Sequence, residues 1–148
     1  MAIQMSTSVR NARLDAIESA IGASAKLRLY TGAAPATCAA AATGTLLVEF
    51  ALAADWAGNA AGGGKSLANL PLSTTAAAAG VAGHFRLYNA AGSVCHYQGS
   101  VTIAGGGGDM MSATWDGNTN GKIDSADDSV NLNGQPASFY TNVDNHAD

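Results

Sequence analysis

Six residues in the acidic C-terminal part of the sequence have the spacing of the ligands in a twelve-residue calcium-binding loop. Such a loop places oxygen-bearing side chains at positions 1, 3, 5, 9 and 12 and uses a backbone carbonyl oxygen at position 7. The residues at those positions are Asp116, Asn118, Asn120, Lys122, Asp124 and Asp127, with Lys122 contributing its carbonyl. Gly121 occupies position 6, where the loop turns sharply, and Ile123 is the aliphatic residue at position 8. The segment is therefore a candidate calcium site.

Two departures from this pattern keep a second interpretation open. Position 12 is Asp127 instead of the glutamate that normally binds through both oxygens, and no clear helices flank the loop. Asp-Gly and Asn-Gly pairs are also typical of tight turns between β-strands. The segment is either a calcium site of modest affinity or an Asx-rich turn. No cofactor is required by any other motif.

The remaining reactive residue types do not form a catalytic pattern. Residues 62–66 read Gly-Gly-Gly-Lys-Ser, but a phosphate-binding loop also needs glycine where Asn59 stands. Pro71 would interrupt the helix that must follow such a loop, so a flexible surface loop explains these glycines better. The histidines lack zinc-ligand spacing, and no Gly-x-Ser-x-Gly elbow occurs. We therefore predict that the protein is not an enzyme and has no catalytic residues.

Length, composition and charge narrow the class of protein further. The 148 residues suit one domain, and 47% of them are apolar while only 12% are charged. Residues 1–108 contain six basic and four acidic side chains, whereas residues 109–148 contain one lysine and seven aspartates. An acidic C-terminal part disfavours binding to nucleic acid. No stretch of the sequence approaches 18 consecutive apolar residues, so we predict no membrane partner.

The hydrophobic pattern predicts one helix followed by short strands. From Val9 to Ile21, apolar residues repeat at helical spacing after serine and threonine N-cap candidates, and Gly22 follows as a C-cap. Beyond Gly22 the period changes to two, with glycine-rich turns between the runs. The predicted strands are Lys26–Tyr30, Thr45–Leu52, Leu67–Leu72, Gly83–Tyr88, Val94–Ile103, Met110–Trp115 and Ser138–Val143. The predicted fold is mainly β, a β-sandwich or jelly roll of about seven to eight short strands with one N-terminal helix. Residues 1–22 form the N-terminal arm and helix, and residues 23–148 form a single β-sandwich domain.

Two of the predicted strands repeat one pattern. Residues 26–33 (Lys-Leu-Arg-Leu-Tyr-Thr-Gly-Ala) match residues 84–91 (His-Phe-Arg-Leu-Tyr-Asn-Ala-Ala), and a cysteine follows each, Cys38 and Cys95. Strands of one sandwich often look alike, which accounts for the match without further meaning. Alternatively the strands are equivalent, with an outward-facing Arg-x-Tyr ladder on the face opposite the leucines. In that case a Cys38–Cys95 disulfide is conceivable.

Several segments together resemble a family of small virion proteins of tailed bacteriophages. The segments are Ser8, Asn11–Ile17, Lys26–Gly32, Gly44–Leu47 and Gly83–Tyr88, and the resemblance covers residues 5–104. Residues 111–131, which include the calcium-like loop, depart from the family pattern. The resemblance continues at Gly134–Gln135 and Ser138–Phe139.

The resemblance implies a virion structural protein without catalytic residues, most simply a capsid cement or decoration protein. Such a protein would be assembled in the host cytoplasm and would lie on the capsid surface. Its partners would be the major capsid protein and further copies of itself, as a dimer or trimer. Two alternatives stay open. One is a tail- or fibre-associated virion protein that binds a receptor or glycan. The other is a secreted calcium-dependent enzyme or carbohydrate-binding module, for which the sequence offers no signal peptide and no carboxylate pair.

Overall fold

The computed structural model describes residues 4–103, 110–112, 122–127 and 129–132, and these residues form one helix and eight strands. The prediction of a mainly β fold with an N-terminal helix is confirmed. In chain order the elements are α1 (Thr7–Ile21), β1 (Lys26–Thr31), β2 (Leu46–Ala51), β3 (Leu72–Thr75), β4 (Gly80–Tyr88), β5 (Cys95–Ile103), β6 (Met110–Ser112), β7 (Lys122–Ile123) and β8 (Ser129–Leu132).

The strands form a sandwich-like arrangement of two unequal sheets. The larger sheet has the order β2-β1-β4-β5-β6, and β7 pairs with the beginning of β4. Its pairs are antiparallel except for β5 and β6, which run parallel. The smaller sheet is the antiparallel pair of β3 and β8. The consecutive antiparallel strands β4 and β5 are joined by a short turn, whereas β1 and β2 are joined by the longer segment of residues 32–45.

Helix α1 has the caps that the sequence predicts. The Ser6 side chain accepts a hydrogen bond from the backbone N–H of Val9, and Gly22 has a positive φ of 86°. The backbone N–H of Gly22 donates to the carbonyl oxygen of Glu18 at 2.8 Å, which satisfies one of the free carbonyls at the helix end. Leu14 and Ile21 are buried, so the helix packs against the β-sheet structure through a narrow apolar stripe. No helix in the part of the chain that the structure describes is long and apolar enough to cross a membrane.

One face of the larger sheet is the hydrophobic core. Leu27 lies opposite Leu87, and Leu29 lies opposite Phe85, so the period-two alternation of β1 and β4 is in the predicted register. Phe50 and other residues of β2 continue these rows. The core also contains side chains from the helix, from the segment after β2, from β7 and from the smaller sheet: Leu14, Ile21, Trp56, Leu67, Ile123 and Val130.

The strand predictions differ from the structure at the third strand and near the C-terminus. Leu67 forms only an isolated bridge with Ala57, and β3 starts after Pro71, at Leu72. This displacement follows from Pro71, which lacks the N–H that a ladder needs. Strand β7 lies within the predicted loop of residues 116–127, and β8 lies in a segment for which the sequence analysis predicted no strand. The predicted strand Ser138–Val143 lies outside the described residues.

Candidate functional site

Four strands contribute one residue each to a polar row across the second face of the larger sheet. Arg28 on β1 lies opposite Glu49 on β2 and, on its other side, opposite Arg86 on β4. Arg86 in turn lies opposite Gln98 on β5. The repeated Arg-x-Tyr pattern thus belongs to two neighbouring strands and places the two arginines side by side. Because like charges directly opposite each other destabilise a sheet, this row needs groups that offset them.

The face is covered, and the prediction of an outward-facing ladder is wrong. Arg86 is only 1% exposed, and Tyr30 and Tyr88 are each 6% exposed. The reason is that residues 32–45, between β1 and β2, fold over this face; we name them the covering loop. Gly83 in β4 permits this, because a Cβ atom there would lie 2.2 Å from the carbonyl oxygen of Gly32.

Backbone carbonyl groups of the covering loop hold the polar side chains of the face. The Arg86 Nη2 group donates to the carbonyl oxygens of Cys38 at 2.7 Å and of Ala40 at 2.9 Å. Gln98 Nε2 donates to the carbonyl oxygen of Pro35 at 2.6 Å. His84, which stacks on Tyr30, donates from Nδ1 to the carbonyl oxygen of Gly32 at 2.9 Å. These donor groups of Arg86, Gln98 and His84 thus have partners, whereas among the described residues the buried His84 Nε2 and Gln98 Oε1 atoms have none.

Glu49 offsets part of the positive charge in the polar row. Its carboxylate accepts a 2.6 Å hydrogen bond from Arg28 Nε and lies 3.4 Å from Lys26 Nζ. Burial alone would raise the pKa of Glu49, but the hydrogen bond and charge of Arg28 outweigh it and hold that pKa below its usual value. Within the described ranges, by contrast, Arg86 forms no ion pair with a carboxylate. Its charge is compensated by carbonyl dipoles and by sulfur.

Tyr88 packs against both arginines. The Arg28 guanidinium carbon is 4.4 Å from the centre of the Tyr88 ring, and that of Arg86 is 5.4 Å from it. These distances are within the range of cation–π attraction. The Tyr88 hydroxyl lies 3.5 Å from that of Tyr30. Burial, together with the hydrogen bond that the Tyr88 hydroxyl shares with Tyr30, raises the pKa of Tyr88 to about 12, so the phenol stays neutral beside the arginines.

A cavity of about 300 Å³ lies between this face and the covering loop, and two thiols line it. Cys38 and Cys95 are both free and partly exposed. Arg86 Nε donates to Cys95 Sγ at 3.2 Å, and the Cys95 thiol donates to the carbonyl oxygen of Tyr97 at 3.4 Å. Burial and a hydrogen bond between the two thiols raise the pKa of Cys38 to about 11. The two cysteines that the repeat singled out are therefore brought together as thiols.

The glycine-rich segment at residues 62–66 is anchored to the helix, so the interpretation as a flexible surface loop is wrong. The Lys65 side chain is only 1% exposed, and its Nζ atom lies 2.9 Å from carboxylate oxygens of Asp15 and Glu18. It also donates to the carbonyl oxygen of Gly58 at 2.9 Å. With its ammonium group bound in this way, Lys65 is not available to a phosphate group. The lysine instead fixes helix α1 to the chain that follows β2.

Three of the six calcium-loop residues, Asp116, Asn118 and Asn120, lie outside the described residues. Of the others, Lys122 belongs to β7 and pairs with Val81, and its Nζ atom lies 3.0 Å from Asp124. Asp127 has a positive φ of 72°, and its backbone N–H donates to the carbonyl oxygen of Ala76. The described residues by themselves contain no group of three metal-binding side chains. The calcium site stays a prediction.

On the covered face, the charges of Arg28 and Arg86 are compensated by neighbouring groups, and the thiols of Cys38 and Cys95 are available for reaction. The sequence signal for it was the Arg-x-Tyr repeat followed by a cysteine, which indicated the residues but not the loop that buries them. Comparison of the chain with protein-family models, with curated proteins and with solved structures finds no match.

Proposed function

We propose that the protein is a structural component of a tailed-bacteriophage virion, a capsid cement or decoration protein that binds the major capsid protein and bridges its subunits. The proposal begins from the resemblance of residues 5–104 to small virion proteins. The resembling segments coincide with α1, with the neighbouring central strands β1 and β4 and with the beginning of β2. The protein would be assembled in the host cytoplasm and would act on the capsid surface.

The observation that carries the proposal is the exposed apolar surface of α1. Val9, Ala12, Ala16 and Ala20 are exposed, and their spacing places them along one side of the helix. Val9 is 48% exposed, which is high for a large apolar side chain. Next to this stripe, a groove of about 290 Å³ separates α1 from β5; its lining is mainly apolar and includes Ile17, Ala20 and Tyr97. A contact of this kind suits a segment of a neighbouring subunit.

Helix α1 is held firmly on the rest of the protein, so a neighbouring subunit would meet a fixed surface. Asp15 and Glu18 bind Lys65 from one side of α1, and Leu14 and Ile21 enter the core. The groove side of the helix is thus held in place before any partner binds, which lowers the ordering cost of association. Self-association as a dimer or trimer would let several copies bind neighbouring capsid subunits at once.

Mass spectrometry of separated heads and tails, from the phage that encodes this chain, tests the proposal. We expect the protein in the head fraction at a copy number close to that of the major capsid protein or a simple fraction of it. Recovery in the tail fraction alone would support the tail- or fibre-associated alternative and overturn the capsid assignment. Absence from both fractions would overturn a virion role altogether.

Binding to purified heads that lack the protein tests the surface itself. Ala16→Asp introduces a charge at the groove, whereas Ala90→Asp introduces the same charge at an exposed alanine in the turn between β4 and β5. We expect Ala16→Asp to weaken binding about tenfold or more, equivalent to roughly 1.4 kcal/mol, and Ala90→Asp to bind like the wild type. Equal binding by both variants would show that the groove is not the capsid contact.

A further inference from the structure

We propose that Cys38 and Cys95 are a redox pair that forms an intramolecular disulfide and thereby locks the covering loop onto β5. The oxidant is a low-molecular-weight disulfide of the glutathione type. The inference does not depend on the capsid proposal, because it rests only on the geometry of the covered face.

Arg86 brings the two cysteines to one place. Its Nη2 group holds the backbone of Cys38 through a 2.7 Å hydrogen bond, and its Nε group donates to Cys95 Sγ at 3.2 Å. One planar guanidinium group therefore sets the position of both residues relative to each other. Both residues also line the same cavity. A bonded pair needs the two Cβ atoms about 3.5–4.5 Å apart, and anchoring of both residues on one guanidinium group favours that approach.

The surroundings also allow the exchange reaction. Both cysteines are partly exposed and line the cavity of about 300 Å³, so a small disulfide has access to sulfur. The Arg86 guanidinium group supplies positive charge beside Cys95, which favours Cys95 as the attacking sulfur. Cys38, whose pKa is raised, is suited to remain a thiol until the second step.

The reaction balances with one molecule of oxidant. The Cys95 thiolate attacks one sulfur of the small disulfide, forms a mixed disulfide and releases one thiolate. Cys38 then loses its proton and attacks Cys95 Sγ, which breaks the mixed disulfide and releases the second thiolate. The two thiol protons end on the two released thiolates. The protein loses two electrons, and the small disulfide gains them.

The new bond would change how the covering loop is held. In the reduced protein the loop is fastened to the sheet through hydrogen bonds from side chains such as Arg86 and Gln98. A disulfide would add a covalent link between this loop and β5, closing a long stretch of chain that contains β2, β3 and β4. Links that close long loops restrict the unfolded chain most. The link would persist outside the cell and open in a reducing cytosol.

The test uses the purified full-length protein, equilibrated with oxidised or reduced glutathione and analysed by alkylation and intact-mass spectrometry. We expect oxidised glutathione to protect both cysteines from alkylation, to lower the mass of the chain by that of two hydrogens, and to form no disulfide between chains. We expect the Tm to rise by about 5–10 °C relative to the reduced protein. Cys38→Ser and Cys95→Ser are matched controls: Cys38→Ser should form a glutathione adduct at Cys95, Cys95→Ser should form less adduct at Cys38, and neither should show such a rise in Tm.

Three outcomes would overturn the proposal. One is wild-type protein that keeps two alkylatable thiols in oxidised glutathione. Another is oxidation to adducts or to disulfides between chains instead of within one chain. The third is an internal disulfide that forms only after denaturation. The comparison of oxidised with reduced wild type needs no substitution, so it decides the matter even if a serine variant fails to fold.

Discussion

Lys65 and Glu18 form a 2.9 Å ion pair that joins the chain after β2 to helix α1, and the lysine side chain is almost completely buried. Asp15 binds the same ammonium group from the next turn of the helix. Because Lys65 is the shared partner of two carboxylates, its removal leaves both of them without a counter-charge.

We therefore expect Lys65→Ala to destabilise the protein by about 2–4 kcal/mol, since Asp15 and Glu18 would repel each other without their shared partner. Lys122→Ala is the matched control: Lys122 is 48% exposed and bonded to the exposed Asp124, so its loss should change the free energy of unfolding by about 0.5 kcal/mol or less. Urea denaturation monitored by circular dichroism measures both. A Lys65→Ala variant as stable as the control would mean that this ion-pair cluster contributes nothing to the docking of α1.

The free energy of unfolding should depend on pH through two carboxylates, Asp15 and Glu49. The hydrogen bond from Lys65 holds the pKa of Asp15 below its usual value of 3.8, and the hydrogen bond from Arg28 holds that of Glu49 below 4.5, even though burial opposes it there. The native protein thus binds fewer protons than the unfolded chain near pH 4, and its stability is lost as pH falls through the native pKa values. Asp15→Asn should flatten the rise of stability between about pH 3 and pH 5. The exposed control Asp55→Asn should leave that slope unchanged; equal slopes in wild type and Asp15→Asn would contradict this assignment.

Arg86 should be essential for folding although it is charged. Arg86→Ala removes the donors for the carbonyl oxygens of Cys38 and Ala40 and opens a hole beneath the covering loop. We expect a loss of about 2–4 kcal/mol in the free energy of unfolding. Arg13→Ala, at an exposed position on α1, should cost about 0.5 kcal/mol or less. If thermal and urea unfolding give the two variants the same stability, the hydrogen bonds to the covering loop are dispensable.

The strand register can be tested on the core face. Leu29 is fully buried between Val48 and Phe85, so Leu29→Ala should cost about 2–5 kcal/mol through lost burial and a residual cavity. Val81→Ala, at a position that is 54% exposed in the adjacent strand β4, should cost less than about 1 kcal/mol. Reversal of this order in urea unfolding would show that β1 presents its other face to the core.

Calcium binding at residues 116–127 should appear as a rise in Tm with added Ca²⁺. Binding to the folded state alone stabilises it, and an aspartate at position 12 suggests a Kd of about 10⁻⁴–10⁻³ M. Asp116→Ala should abolish the rise, while Asp55→Ala, at an exposed position outside the segment, should keep it. Titration with millimolar CaCl₂, with and without chelator, measures the shift. No shift in the wild type, or an equal shift in Asp116→Ala, would identify the segment as an Asx-rich turn.

The sequence predicted the features that depend on neighbouring residues, such as helix caps and strand alternation. It did not predict the contacts between residues that are far apart in the sequence. The caps at Ser6 and Gly22 act within one turn, so the helix could be placed to within two residues. The alternation in β1 and β4 likewise assigned Leu29 and Phe85 to the core. The burial of Arg86 could not be predicted, because a run of alanines gives no sign that its carbonyl groups face a guanidinium ion.

The same limit applies to Lys65 and to the smaller sheet. A lysine among glycines looks exposed until the helix brings two carboxylates to it across some fifty residues of sequence. Strand β8 is paired with β3 over a still longer separation, and four residues of polar and apolar alternation are too few to distinguish a strand from a turn.

The covering loop seals a charged surface with main chain instead of side chains. The acceptors at Gly32, Pro35, Cys38 and Ala40 are all backbone oxygens, while Ala39, Ala41 and Ala42 are exposed residues. The hydrogen bonds that hold the loop on the sheet therefore do not depend on which side chains stand at these exposed positions. New side chains can be displayed at residues 39, 41 and 42 while the guanidinium group beneath keeps both of its carbonyl partners.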